Sequence, residues 1–219
     1  LSPQEFTDKT SKSFVELSEY MNFSNDDFIR TTEDRHKKIA QEFWKLLEKN
    51  GDIYLGKYSG WYSVRDEAYY AESELSEDRH APTGAPVEWV QEQSYFFALS
   101  KYQDKLLEFY DQNPDFIKPI SRRNEVINFV KGGLQDLSIS RTSFNWGVEV
   151  PGAKDHVMYV WLDALTNYIS TLGFGSSNNE KYKEFWPANA HVVGKDILRF
   201  HAIYWPAFLM SAGISLPKV

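Results

Sequence analysis

The sequence predicts an α/β fold: an open parallel sheet with packed helices, interrupted by a small α+β unit. A short apolar run followed by a helix occurs twice toward the C-terminus. The first is "HVMYVW" into "LDALTNYISTLG"; the second is "AHVVG" into "KDILRFHAIYWPAFLMSAG". Strands that alternate with helices are the mark of a parallel sheet. Ahead of them, residues 52–90 turn to Tyr, Trp, Ile and Val broken by Gly56 and Gly60, which is β-hairpin material.

The first 50 residues read as helices. Ser2-Pro3 supplies a cap and a proline at the first helical position. "TTEDRHKKIAQEFWKLLEKNG" places Ile39, Phe43, Leu46 and Leu47 at helical spacing, with Thr31 or Thr32 as cap and Gly51 as stop. The prolines of "EDRHAPTGAP" mark a loop. A helix then carries Leu99, Tyr102, Leu106 and Tyr110 on one face, and "DQNPDFIKP" breaks it. Residues 121–136 predict a helix capped by Ser121, with Val126, Phe129 and Val130 facing inward.

The 219 residues carry a net charge of −7 and no cysteine. The acidic balance argues against a chain-wide nucleic-acid footprint but leaves room for a local basic patch. Lys118, Arg122, Arg123 and Lys131 form such a cluster, which fits a nucleic-acid phosphate contact or a solvated helix face equally well. Without cysteine, disulfides and thiolate zinc sites cannot form. His36, His80, His156 and His191 lack paired metal spacing and read as scattered surface histidines, so no metal site is expected. No stretch approaches the roughly 18 apolar residues of a membrane span. The chain begins without Met and stops at "ISLPKV", so a piece of a longer protein is expected.

In an open parallel sheet, ligands sit beyond the carboxyl ends of the strands, at the helix starts. One helix start carries Gly194, which allows close approach of a ligand, and Asp196, which suits the helix dipole and can accept from ribose hydroxyls. Ile197, His201 and Trp205 then recur every four residues on one stripe. At the other start, Trp161 is expected at the strand end, with Ala164 and Tyr168 on the following helix. If the two strands are neighbours, these side chains wall one crevice. Aromatics, small aliphatics and an imidazole suit an unbranched side chain with a polarisable atom, such as methionine. The same residues also fit a plain buried stripe with a core histidine.

"RTSFNWGVEVPG", "HVMYVWLDALTNY" and "HVVGKDILRFHAIYWPA" resemble the methionyl-tRNA synthetase family, a class I synthetase family, and the likeness covers essentially the whole chain. "GWYSVRDEAYY", "EWVQEQSYFFALSKYQDKLLEFY" and "SRRNEVINFVKGGLQDLSISR" are similar to its connective insertion and return helix. The resemblance implies a Rossmann-type parallel-sheet catalytic domain, incomplete here, interrupted by the α+β insertion. Residues 1–51 would end its first half, 52–118 would be the insertion, and 119–219 the second half. Methionine, ATP with Mg2+ and tRNA(Met) are the implied substrates, without zinc, in the cytoplasm or an organellar matrix.

Residue by residue, the resemblance assigns Trp161, Ala164, Leu165, Tyr168, Ile197, His201 and Trp205 to methionine. Leu165 stands where many relatives have proline. Glu149, Gly194 and Asp196 go to the ATP ribose, and Arg141 is a supporting arginine beside the pocket. The family's His-x-Gly-His and Lys-Met-Ser-Lys-Ser elements are absent from this sequence. "KTSKS" (Lys9 to Ser13) imitates the second but reads as a solvated helix face. The chain by itself is therefore expected to be inactive. The second reading, from the residues alone, is a non-catalytic ligand-binding module with an aromatic pocket.

Overall fold

The structure, a computed structural model, describes residues 1–65, 68–70 and 72–219. Asp66 and Glu67 of the "GWYSVRDEAYY" block lie outside the described residues. Helix α1 (Pro3–Tyr20) opens on the expected cap: the Glu5 amide donates to Ser2 Oγ, and the Ser2 amide donates to Glu5 Oε2. Helix α2 (Asp34–Lys49) buries Ile39, Phe43, Trp44 and Leu47. Its N-cap is Glu33 rather than a threonine, and no side chain caps it.

Strand β1 (Ile53–Ser63) pairs antiparallel with β2 (Ala68–Tyr70) and along its length with β3 (Glu88–Phe97), from Ile53↔Phe97 to Tyr62↔Glu88. Gly56 lets the ring of Phe96 lie close over β1, where a Cβ would come to 3.0 Å from it. After β3 come a 3₁₀ turn (99–102) and helix α3 (Gln103–Gln112). Together they bury Leu99, Tyr102, Leu106 and Tyr110, the expected face.

Helix α4 (Ile120–Lys131) starts from Pro119. Ser121 lies inside the helix and does not cap it. Val126 and Val130 are buried, but Phe129 faces outward, with the Arg199 guanidinium 4.2 Å over its ring.

Strand β4 (Leu137–Ser138) adds to β3, which completes a sheet of order β2-β1-β3-β4. That sheet therefore joins residues on both sides of position 118. A second sheet has β7 (Ala153–Met158) between β5 (Ser140–Arg141) and β6 (Glu149–Val150). Helices α5 (Val160–Ser170), α6 (Glu180–Phe185) and α7 (Trp205–Ala212) follow.

The expected parallel sheet does not form among the described residues; every pairing is antiparallel. Residues 190–194 make no strand. A parallel strand needs a neighbour delivered by a crossover, and no described strand pairs with this segment. The His191 amide instead donates to Val219 O at 2.9 Å, and Val192 is 97% exposed. Strand β7 also stops at Met158, so Trp161 lies in the first turn of α5 rather than at a strand end.

One core unites these elements. Phe97 of β3 meets Phe208 of α7 edge-on at 4.7 Å, and Phe43 of α2 lies 5.8 Å from Trp205. At its rim Asp52 is 7% exposed and accepts from Tyr102 Oη (2.5 Å), Ser211 Oγ (2.7 Å) and Lys101 Nζ (3.1 Å). Burial alone would raise this carboxyl, but the three hydrogen bonds outweigh it and hold the group below its usual range. Asp52→Ala strands two buried hydroxyls and is expected to cost about 1–3 kcal/mol in denaturant unfolding at pH 7. The Asp52 contribution is present above the unfolded carboxyl value. It is lost as pH falls through the lower folded one, so wild type and variant converge in acid.

Candidate functional site

The site is built where α5 lies against residues 194–205. This segment is not the regular α-helix that the four-residue stripe suggests. It starts as a 3₁₀ turn (Lys195–Ile197) and widens into a π turn over Phe200–Tyr204 before α7. The cause is Pro206. In an α-helix the amide of residue 206 would donate to Ala202 O, and proline has no amide hydrogen. The Tyr110 hydroxyl takes over that role, donating to Ala202 O at 2.6 Å, while the Trp205 amide reaches back five residues to Phe200 O. π turns of this kind recur at functional sites.

His201 sits in that turn. Its Nδ1–H donates to Ile197 O at 2.9 Å, which leaves Nε2 as the acceptor for the Tyr168 hydroxyl at 2.6 Å. Burial pushes the imidazole below its usual range, against the hydrogen bond to Ile197, which favours the charged form. Burial also raises Tyr168. The couple is therefore neutral at pH 7, a phenol donating to an imidazole. A cavity of about 370 Å³ opens beside it, lined by Phe116, Pro119, Arg122, Val193, Gly194 and His201.

His191, expected on the surface, is instead a member of the site. Its ring lies 4.0 Å from that of Tyr168, and Trp205 Nε1–H donates to its Nε2 at 3.3 Å. It separates the first cavity from a second, of about 390 Å³, lined by Tyr168, Leu172, Trp186 and Ala188. Burial, with a smaller contribution from His201, pushes its pKa down to about 4. The sequence signal was its place at the head of the apolar run that ends in Gly194. His36 and His156 are likewise buried, His36 on Asp163 and Ser170, and His156 on Ser140.

The remaining expected residues divide. Trp161 stacks on Phe200 at 3.4 Å. Ala164 is half-buried on the same helix, and its carbonyl accepts from Asn167. Leu165 and Trp205 are sealed in the core. Ile197 is half-buried and acts on His201 through its carbonyl. Asp196 is exposed, with its carboxylate folded over Gly194; a Cβ at 194 would fall 2.6 Å from Asp196 Oδ1.

Glu149 is exposed on β6 and lines neither cavity. Arg141 donates to Ser138 Oγ (2.6 Å) and Ser140 O (2.7 Å), with its guanidinium 4.0 Å over Tyr159. Arg122 and Arg123 do not form one patch. Arg122 lines the first cavity and pairs with Glu125, whereas Arg123 turns inward to donate to Tyr110 O. Lys9 to Ser13 lie on α1, which buries no residue. Among the described residues no three His, Asp or Glu side chains converge on a metal position, and no helix is long and apolar enough to cross a membrane.

The sequence matches the family described as tRNA synthetases class I (M) over residues 1–78 and 72–219, and the chain belongs to that aminoacyl-tRNA synthetase family. The methionine–tRNA ligase of Rickettsia typhi is 69% identical over 218 residues, covering 100% of this chain and 43% of that protein. That of Brucella suis biovar 1 is 59% identical over 222 residues, with the same coverage. Among solved structures, Mycobacterium tuberculosis methionyl-tRNA synthetase bound by methionyl-adenylate matches with a TM-score of 0.90 at 56% identity, over 98% of this chain and 43% of that one. The apo form of the same protein gives 0.84 at 55%. The chain thus spans less than half the length of these relatives.

His191 makes the site acid-sensitive. Its folded pKa, about 4, lies below the unfolded 6.5, so its share of stability is complete above pH 6.5 and lost as pH falls toward 4. The slope from this residue is at most about 1.4 kcal/mol per pH unit. Urea unfolding between pH 7.5 and 5 should show a shallower pH dependence for His191→Asn than for wild type; equal slopes would refute the assignment.

Proposed function

We propose that this chain is the methionine- and ribose-holding part of an ATP-dependent, AMP-forming methionine–tRNA ligase. In the whole enzyme, the methionine carboxylate attacks the α-phosphate of ATP and pyrophosphate leaves. The adenylate then passes methionine to the terminal adenosine of tRNA(Met). The observation that carries this reading is the neutral Tyr168–His201 couple, set beside a cavity that Gly194 also lines, in a chain of the M-type class I family.

The residues here would bind and orient. Tyr168, Trp161, Ala164, Ile197 and the neutral face of His201 would surround the methionine side chain, where thioether–aromatic contacts contribute about 0.3–1.5 kcal/mol each. Leu165 and Trp205 would back that wall from the core. Asp196, held over Gly194, would accept from ribose hydroxyls, with Glu149 as a second acceptor. Arg141 would support the pocket edge, and Arg122 would serve tRNA; Arg123, turned in to Tyr110 O, would not.

The described residues supply no ligand cluster for Mg2+, which would accompany the nucleotide on its phosphate oxygens. In this reading 1–51 ends the first half of a Rossmann domain, 52–118 is the insertion and 119–219 is the second half. Residues 190–194 would be a strand of its parallel sheet. The enzyme would work in the cytoplasm or an organellar matrix. No relative named above favours a non-catalytic binding module.

Kinetics of the whole enzyme test this. Trp161→Ala should raise KM for methionine at least tenfold and leave KM for ATP within about twofold, which corresponds to about 1.4 kcal/mol or more at the amino acid alone. Unchanged methionine KM would remove Trp161 from the pocket. Asp196→Ala should weaken ATP by about 1.5–3 kcal/mol and dATP by less. If thermal stability falls and nucleotide affinity does not, Asp196 serves only its helix start.

A further inference from the structure

Among the buried polar groups that the mechanism above leaves unused, one lies against the pocket helix. His36, on α2, is 0% exposed, and both its ring nitrogens are bonded to α5. Nε2–H donates to Asp163 Oδ1 at 2.6 Å, and Nδ1 is bonded to the Ser170 hydroxyl at 2.8 Å. Asp163 and Ser170 stand two turns apart on one stripe of α5, about 10 Å along its axis. One imidazole therefore clamps almost the whole helix. Arg35, next to His36, grips Asp27 through two bonds (2.6 and 2.8 Å), and Asp27 in turn accepts from Thr171, the residue after Ser170.

The clamped stripe lies across the helix from the pocket stripe. Trp161 and Asp163, like Tyr168 and Ser170, are two residues apart, which is about 200° around the axis. Rotation of α5 about its axis would leave its core contacts apolar while it swings Tyr168 Oη away from His201 Nε2. Close packing of Leu162, Leu165 and Ile169 blocks a large rotation, but apolar attraction is non-directional and sets a small angle less sharply than hydrogen bonds do. Two hydrogen bonds to one rigid ring are directional and fix that angle.

We infer that His36 is a positioning residue: through Asp163 and Ser170 it sets the rotation of α5 and thereby the affinity of the Tyr168–His201 pocket for methionine. This inference rests on the reading of that pocket given above. It concerns binding of the amino acid and makes no claim on the nucleotide.

The test uses the whole ligase. Methionine affinity is measured by calorimetry without ATP, ATP KM by pyrophosphate exchange, and folding by thermal unfolding. His36→Ala should weaken methionine binding about tenfold and leave ATP KM within twofold. His36→Gln, whose amide can reach Asp163, should recover most of the loss. Ser170→Ala, which keeps the Asp163 limb, should weaken methionine about threefold and secures the test if His36→Ala does not fold.

Tyr168→Phe distinguishes the two levels of the argument. If Tyr168→Phe weakens methionine but the folded His36 and Ser170 variants bind it like wild type, the clamp is overturned and the pocket stands. If Tyr168→Phe also leaves methionine affinity unchanged, the pocket assignment falls and the clamp falls with it.

Discussion

The site depends on a missing hydrogen. Pro206 cannot donate to Ala202 O, and a buried carbonyl without a partner is strongly disfavoured. The Tyr110 hydroxyl meets that need from α3. Burial pushes the Tyr110 phenol well above its usual value, so the proton it donates stays on oxygen at any ordinary pH. The turn before Pro206 widens, and the wide turn carries His201. A helix that follows the β1–β3 hairpin is thereby tied to the chemistry of a segment nearly a hundred residues later. The ring of Tyr110, stacked with Phe116 and edge-on to Phe109, is held by the same core.

Charge is distributed by a consistent logic. Around the Tyr168–His201 couple the polar groups are neutral, a phenol, two imidazoles and an indole joined by hydrogen bonds, while the cations Lys118, Arg122 and Lys195 line the adjoining cavity. A neutral lining suits an uncharged side chain, since an unpaired charge there would have to be desolvated at high cost. Where carboxylates are buried, they are surrounded by donors, as Asp52 is by Tyr102, Ser211 and Lys101. Asp163 is bonded in the same way to His36, on the far side of α5. Asp196 is left in solvent, where a carboxylate keeps its capacity to accept from a ligand.

Exposed apolar surface is concentrated on α1, with Phe6, Phe14 and Leu17, and on the extended segment at Val192.

Much was legible in the sequence because it is local. Capping by Ser2, the buried faces of α2 and α3, and the antiparallel strands around Gly56 follow from spacing and side-chain shape within a few residues. The stripe of Ile197, His201 and Trp205 was legible as a stripe, and the motif blocks were specific enough to indicate the family. Other features were decided only by tertiary structure. Residues 190–194 have strand composition, but among the described residues no strand pairs with them. Phe129 faces outward with Arg199 over its ring, and Arg123 faces inward onto a carbonyl of α3. His191 and His36 looked like surface residues because an imidazole's environment is set by what packs against it, and those partners lie far away in sequence. A local pattern specifies which face a residue occupies; only the folded chain specifies what meets that face, because hydrogen bonds and burial act through space rather than along the backbone.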